Sequence, residues 1–337
     1  MRKLYFLLVV MIATTVVSAQ GLQKVYEGSK DFDQVSAVKI SGDFCKVEFQ
    51  KGDKVNVTAE LSANKELDNY DVAMKVTDGV LTVDVNKPSS GWSSHSGFVT
   101  VTLPDGVNID VVTSSGYITL AGFKNAKVKA ESKSGKIKVS NLEGSADLST
   151  KSATITVDNI TGDIETSSKG GAQTINNIKG NAEIVSYSGS LIIENVEGNC
   201  KGETTDGNLT MKNIQGDIKL KSNSGSIKLS DATGNITSFS GAGSLNLFNV
   251  KGVFDITSGK GEVIGTRVEF TASSNIKTTE GKIKLKLNNS KEDLAFECES
   301  EKGMIVVYGK AKKKKNKQGK GSILITTYST TGAQNYY

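Results

Sequence analysis

One repeat length dominates the sequence between residues 114 and 282. Four series of like residues recur there, and all of them share the same 18-residue step. One series is Asn, with Asp231 filling its single gap: Asn141, Asn159, Asn177, Asn195, Asn213 and Asn249. Two Gly series and one Ser/Thr series share the step, beginning at Gly144, Gly135 and Thr150. A fixed period of this size is typical of a solenoid, in which each repeat stacks on the one before it.

Apolar residues two positions apart inside each repeat predict strands rather than helices. Leu191 and Ile193 show this spacing, and the second half of the repeat begins at Gly198. We therefore predict an all-β parallel β-helix with 18-residue coils that stack about 4.8 Å apart. Stacked Asn side chains would then hydrogen-bond along the axis, and the Gly residues would allow positive φ at the turns. One buried column is expected to contain Ile137, Ile155, Ile175, Leu191, Leu209, Ile227 and Leu245.

Three segments are predicted along the chain. Residues 1–19 have the pattern of a signal peptide: Arg2 and Lys3 precede an apolar run, and cleavage is expected after Ala19. The protein is therefore expected to be extracytoplasmic, that is periplasmic, on the outer-membrane surface or secreted. Residues 20–110 alternate less regularly and are predicted to form an irregular β N-terminal section or cap. Residues 111–337 are predicted to form the regular β-helix with C-terminal strands.

A lysine-rich segment at 310–321 is predicted to be a mobile loop between two C-terminal strands. It contains seven lysines and no acid: Lys310, Lys312, Lys313, Lys314, Lys315, Lys317 and Lys320. One hypothesis is a loop that docks on an anionic envelope surface through lipid phosphates or acidic glycans. The other is a solvated connection without a partner. The rest of the chain is mildly acidic after signal removal, which argues against a nucleic-acid binder.

Residue types that carry catalysis are scarce. His95 is the only histidine, and Arg2 and Arg267 are the only arginines. A metal centre with two or more imidazoles is excluded, and no metal or cofactor site is predicted. A column of outward charges is expected at 18-residue steps, from Asp147, Glu165 and Glu183 to Lys201 and Lys219. We interpret this column as surface charge and predict that the protein is not an enzyme.

Two further features leave alternatives open. Trp92 lies in a predicted polar loop from Asn86 to Gly97, where it either stacks on a sugar ring or anchors an ordinary loop. The three cysteines, Cys45, Cys200 and Cys298, lie in alternating segments. We expect them to be buried thiols, and one disulfide with a free third thiol is the alternative.

Recurring Ser-Gly pairs carry a resemblance to known proteins. Val101-Thr102-Leu103-Pro104 precedes segments such as Ser134-Gly135-Lys136-Ile137 and Ser224-Gly225-Ser226-Ile227. With these motifs, residues 33 to 330 resemble the bacterial putative-adhesin families that include the head GIN domain of putative autotransporter adhesins. The resemblance implies a right-handed β-helix on an extracytoplasmic surface and no catalytic residues. The expected function is a non-catalytic secreted or cell-envelope scaffold that binds surfaces or host and cell-surface glycans. The alternative is a β-helix enzyme that binds or cleaves polysaccharides.

Overall fold

The computed structural model describes residues 21–64, 70–86 and 94–337. Strands make up 71% of this part of the chain, and the other regular element there is one 3-10 helix at Lys291–Asp293. The regular strands are β10 Lys124–Ser132, β11 Ile137–Thr150, β12 Ile155–Thr161, β13 Ile164–Ser168, β14 Gln173–Lys179, β15 Ala182–Ser186, β16 Leu191–Glu197, β17 Cys200–Thr204, β18 Leu209–Gln215, β19 Ile218–Ser222, β20 Ile227–Ser240, β21 Leu245–Ser258, β22 Val263–Phe270, β23 Ser274–Thr278 and β24 Ile283–Leu287.

The regular strands pair in parallel with a constant register. Ile137 lies beside Ile155, Ile155 beside Gln173, and Gln173 beside Leu191, so each coil advances the chain by the same step. This step continues to Val263, and only the next pairing, with Ile283, is longer. The predicted parallel β-helix with 18-residue coils is confirmed, and about ten such turns form the solenoid.

Each coil turns at three corners, and each corner uses a different residue. In one coil, β12 bends at Asn159, whose φ is +58°, and the chain turns again at Gly162, whose φ is +141°. All members of the Asn series, with Asp231, have φ between 52° and 58°. Asn and Asp tolerate this left-handed conformation better than other residues with a side chain. The third corner follows the short strand, at the Ser-Gly motif.

The Gly series that begins at Gly135 allows close packing of the backbone and does not adopt positive φ, which corrects the expectation for these turns. A Cβ on Gly189 would lie 2.0 Å from the carbonyl oxygen of Gly171 in the preceding coil. The Ser186 hydroxyl is buried and accepts a hydrogen bond from the Gly189 N–H at 2.9 Å. The Ser/Thr series and this Gly series therefore build one corner together, where backbone stacks directly on backbone.

The interior is filled by columns of apolar side chains. Ile155, Leu191 and Leu209 lie in one column and are fully buried. Ile175 was predicted in this column, and the structure corrects that assignment: it lies two positions further along, in the neighbouring column beside Val157.

Gln173 takes the place that was assigned to Ile175, although its amide is polar. The side chain is fully buried. Its oxygen accepts a hydrogen bond from the Thr166 hydroxyl, and its nitrogen donates to the Val185 carbonyl at 2.7 Å. Because both ends of the amide are bonded, the polar group is accommodated inside the core. A search for apolar residues alone misses such a position.

At the N-terminal end, the spatial order of the coils differs from the chain order. The strands are β1 Gln23–Phe32, β2 Ala37–Asp43, β3 Lys46–Lys51, β4 Val55–Ala63, β5 Asp71–Thr77, β6 Val80–Asn86, β7 His95–Leu103, β8 Asn108–Thr113 and β9 Ile118–Ala121. The coil of β6 and β7 stacks outside the coil of β2 and β3, which contacts β8 and β9. Antiparallel strands then cover this end: β5 on β6, β4 on β7, and β1 on β4.

The stack is continuous across the predicted boundary at residues 110 and 111. Both residues belong to β8, which pairs with β2 on one side and with β10 on the other. Of the predicted loop from Asn86 to Gly97, Asn86 belongs to β6 and the residues from His95 belong to β7. Trp92 and the predicted signal peptide lie outside the described residues.

At the C-terminal end, too, the spatial order of the coils differs from the chain order, and the predicted lysine loop is wrong. The strands are β25 Leu294–Val307, β26 Lys310–Gly319, β27 Ile323–Ser329 and β28 Gln334–Tyr336. β27 inserts between β23 and β25, so that β25 becomes the outermost coil. The predicted mobile loop is the antiparallel strand β26, paired with β25. The physical reason is that the outer edge of β25 carries backbone groups that need hydrogen-bond partners.

Candidate functional site

One concave face of the solenoid forms a groove that we call the axial groove. Its volume is about 930 Å³, and it touches nine turns between residues 37 and 237. With turns about 4.8 Å apart, nine of them span roughly 40 Å along the axis. The floor is the buried column that contains Ile109, Ala146, Ile164, Ala182 and Cys200. The walls are the outward side chains immediately before and after each floor residue.

One wall is a ladder of Asp and Asn side chains: Asp163, Asn181, Asn199, Asp217 and Asn235. The oxygens of the first three accept hydrogen bonds from the backbone N–H of the next turn, and Asp217 Oδ1 accepts from Asn235 Nδ2 at 2.9 Å. Asn181 N–H donates to Asp163 Oδ1 at 2.7 Å, and Asn199 N–H donates to Asn181 Oδ1 at 3.1 Å. The sequence analysis missed this ladder. Its signal is present as the same 18-residue step, but the mixture of Asp and Asn conceals it.

The other wall is the predicted column of outward charges. The Glu183 carboxylate and the Lys201 ammonium are 2.7 Å apart, and this bond raises the pKa of Lys201. Lys201 and Lys219 also lie 3.7 and 3.5 Å from Glu203. The lysine half of this wall is therefore paired with acids.

The acidic half of the same wall is less compensated. Asp147, Glu165 and Glu183 lie side by side on consecutive turns. Within the described ranges, neither Asp147 nor Glu165 has an ion-pair partner. Like charges in adjacent strands repel each other, so this arrangement costs some stability.

The lining of the groove suits hydrogen bonding. Amides and carboxylates line most of its turns, lysines line the turns of β2 and β10, and no aromatic side chain takes part. In the described part of the chain, no group of three or more His, Cys, Asp or Glu side chains is placed to hold a metal ion. Chemically, the groove can offer acceptors and donors at a regular spacing to a linear molecule with many hydroxyl groups.

The predicted lysine site lies apart from the axial groove. It belongs to β26 at the C-terminal end, and the groove extends only to Thr237. Lys315 and Lys317 form ion pairs with Glu299 and Glu297, both at 2.8 Å. The bond with Glu299 raises the pKa of Lys315. Five lysines of this segment have no ion-pair partner among the described residues: Lys310, Lys312, Lys313, Lys314 and Lys320.

The Asn series lies at an exposed corner of the coil. Asn159 Nδ2 donates to Asn141 Oδ1 at 2.6 Å, and Asn213 Nδ2 donates to Asn195 Oδ1 at 2.8 Å. Asn195 Nδ2 donates to Asn177 Oδ1 at 3.0 Å. Each side chain thus fixes a neighbouring corner, which is a structural role.

All three cysteines are buried, and Cys200 and Cys298 are free thiols. Burial raises the pKa of Cys200 to about 12 and that of Cys298 to about 11. Thiolate chemistry is therefore suppressed at both residues at neutral pH. His95 is remote from the groove walls; its ring packs on Phe44, with 4.3 Å between centroids.

Comparison with known proteins gives a family. The profile of the Toastrack DUF4097 family matches residues 35–233 and, in a second overlapping match, residues 197–331. The chain belongs to this family. The expected likeness to putative-adhesin families is confirmed at the level of the family. No curated protein matches the chain. No helix in the described part is long and apolar enough to cross a bilayer.

The similar solved structures are distant. A "putative adhesin" from Parabacteroides merdae is 13% identical, with 95% of this chain and 97% of that chain covered and a TM-score of 0.32. A "putative adhesin" from Parabacteroides distasonis is 13% identical, with 92% and 96% covered and a TM-score of 0.30. A "putative cell adhesion protein" from Clostridium sporogenes is 12% identical, with 93% and 99% covered and a TM-score of 0.20.

Proposed function

We propose that this chain is a non-catalytic, exported β-helix scaffold that binds a linear surface glycan along the axial groove. The observation that carries the proposal is the continuity of the groove over nine turns with polar walls. A linear polymer of hydroxylated rings presents donors and acceptors at regular intervals. A rigid ladder of Asp and Asn side chains can meet them without reorganisation, which lowers the cost of binding.

The even repetition of the Asp and Asn wall favours binding over catalysis. A catalytic site needs a local constellation that differs from its surroundings, with groups in distinct roles. Here the Asp and Asn ladder presents the same groups on turn after turn. The export signal expected at residues 1–19 supports the same proposal, because surface glycans are met outside the cytoplasm.

The direct test is binding of the purified chain to a panel of neutral, acidic and basic polysaccharides, measured by calorimetry. Glu165→Arg places a long side chain of opposite charge in the middle of the groove wall, and we expect it to weaken binding at least tenfold. Glu197→Arg is the matched control, since Glu197 is an exposed strand acid outside the groove. Equal effects of the two changes, or no binding of any polysaccharide, would refute the proposal.

A second candidate function is polysaccharide cleavage, and one observation favours it. Asp147, Glu165 and Glu183 lie on consecutive turns. Neighbouring turns are about 4.8 Å apart, which is near the separation of about 5 Å between the carboxyl groups of retaining glycosidases. Release of reducing ends that Glu165→Gln abolishes would establish cleavage. Binding without any such release would leave the scaffold function alone.

A further inference from the structure

The C-terminal end of the solenoid is closed by a strand with an open edge. β26 pairs with β25 along one side, and no other strand in the described ranges pairs with β26. Lys310 lies opposite Val307, and Lys312 lies opposite Ile305. Val307 and Ile305 are fully buried, and directly opposed residues of an antiparallel pair share a face. The two lysines therefore start from the core-facing side of the last coil, yet both are exposed.

Other lysines of β26 lie on the opposite face. Lys313 is paired with Met304, whose side chain is exposed. Lys315 and Lys317 also lie on this face, but Glu299 and Glu297 neutralise them. Uncompensated positive charge is thus present on both faces of the terminal strand. It surrounds the flat end of the rod and does not form a stripe along its side.

Protection of an open edge from pairing with other chains accounts for only part of this charge. Lysine on an edge strand does discourage such pairing. The open edges at the N-terminal end, however, are balanced. β1 contains two lysines and two acids, and β5 contains one of each. Lys24 on β1 even contacts Glu27 at 3.1 Å and Glu60 at 3.5 Å. β26 contains six lysines and no acid. Among the described residues, the edge strands at the N-terminal end are therefore balanced in charge, whereas the edge strand at the C-terminal end is strongly basic.

We infer that the basic end docks end-on to a phosphate-bearing anionic lipid bilayer. Basic clusters of four to eight residues bind such surfaces through the sum of many weak attractions, without a shaped pocket. A flat surface contacts the lysines on both faces of β26 at once. An acidic peptide added along the open edge would engage the backbone and only part of the charge. The axial groove lies on the side of the rod and ends several turns away, so end-on attachment leaves it accessible.

Co-sedimentation with lipid vesicles tests the inference. We expect the chain to sediment with vesicles of phosphatidylcholine and phosphatidylglycerol at low salt, and to be released at high salt, since charge attraction is screened. Vesicles of phosphatidylcholine alone should not bind. The triple change Lys310→Ser, Lys312→Ser and Lys313→Ser should lower binding about 10- to 100-fold. The matched control changes three exposed lysines on the side of the rod, Lys138, Lys212 and Lys228, to Ser and should leave binding unchanged.

A second variant separates docking from edge protection. Changing Lys310, Lys312 and Lys313 to Glu keeps charges on the strand edge, so the chain should remain monomeric and folded while vesicle binding is lost. The inference is overturned if the wild-type chain does not sediment with anionic vesicles at low salt, or if the control triple loses as much binding as the β26 triple. It is equally overturned if the chain binds polyglutamate but not the vesicles. Inorganic phosphate that competes fully at low concentration would indicate a site for free phosphate instead of a bilayer.

Discussion

The corner formed by Asn195 offers a quantitative test of why Asn recurs once in every regular coil. Its backbone has φ of +58°. Its amide nitrogen donates to Asn176 Oδ1 at 2.8 Å and to Asn177 Oδ1 at 3.0 Å. Its oxygen accepts from Asn213 Nδ2 at 2.8 Å. Two separate contributions, backbone conformation and hydrogen bonding, are therefore combined in one residue.

Two substitutions separate the contributions. Asn195→Ala removes the ladder bonds and leaves a Cβ at positive φ, where a residue other than Gly or Asn costs roughly 1–2 kcal/mol. The side chain is exposed, so we assign the three bonds a combined value of only about 1 kcal/mol. We expect Asn195→Ala to lower the free energy of unfolding by about 2–3 kcal/mol. Asn195→Gly loses the same bonds without the conformational cost, but gains unfolded-state entropy, and should be better than Ala by about 0.5–1 kcal/mol.

Equilibrium urea denaturation followed by circular dichroism measures both variants. Lys212→Ala is the control, because Lys212 is exposed on the adjacent turn and outside the ladder; its effect should stay within about 0.5 kcal/mol. An Ala variant that is as stable as the Gly variant would show that the left-handed corner does not select Asn. If both variants are as stable as the wild type, the ladder bonds contribute nothing to stability.

Three further predictions concern the core and the stacked corners. Leu209→Asp buries an unpaired carboxylate in a fully buried column and should cost several kcal/mol in urea denaturation, whereas Leu209→Met should be nearly neutral. In Gly207→Ala the new Cβ would lie 2.1 Å from the Gly189 carbonyl oxygen, so thermal unfolding should show a loss of about 3 kcal/mol; no loss would mean that the turns can separate. Burial raises the pKa of the Cys200 thiol to about 12 and that of the Cys298 thiol to about 11, so both stay protonated in the folded chain above the ordinary thiol pKa of 9.0. The free energy of unfolding should therefore fall as the pH rises above 9, by on the order of 1.4 kcal/mol for each pH unit and each thiol. Replacing both cysteines with Ala should flatten this decline, and an unchanged profile would contradict the cause.

Much of the regular solenoid could be predicted from the sequence, because each turn packs against near-copies of itself. The Asn corners, the Gly corners and the alternation of buried and exposed residues are local features that recur with one period. The exception at Gln173 is instructive. Its amide is satisfied by Thr166 of the preceding turn and by the Val185 carbonyl of its own turn, which are partners that no local pattern reveals.

The candidate site was only partly predictable. The outward column with Glu165 was identified from its 18-residue step, but the concavity that makes it one wall of a groove depends on how the three sides of each coil meet. The Asp and Asn ladder on the opposite wall has the same 18-residue step and could have been found in the same way. Its mixed residue types concealed it, although Asp163 and Asn181 have the same role of accepting a backbone N–H from the next turn.

The sequence by itself determined the period, the strand class and the residues that point inward along the regular turns. The tertiary structure alone decided the two ends. There the chain order and the spatial order differ: β6 and β7 lie outside β2 and β3, and β27 lies inside β25. A terminal edge has no repeat to pair with, so whichever segment can reach it must cover it. For this reason a run of lysines that has no apolar pattern became the strand β26, held by the backbone of β25 and not by its own side chains.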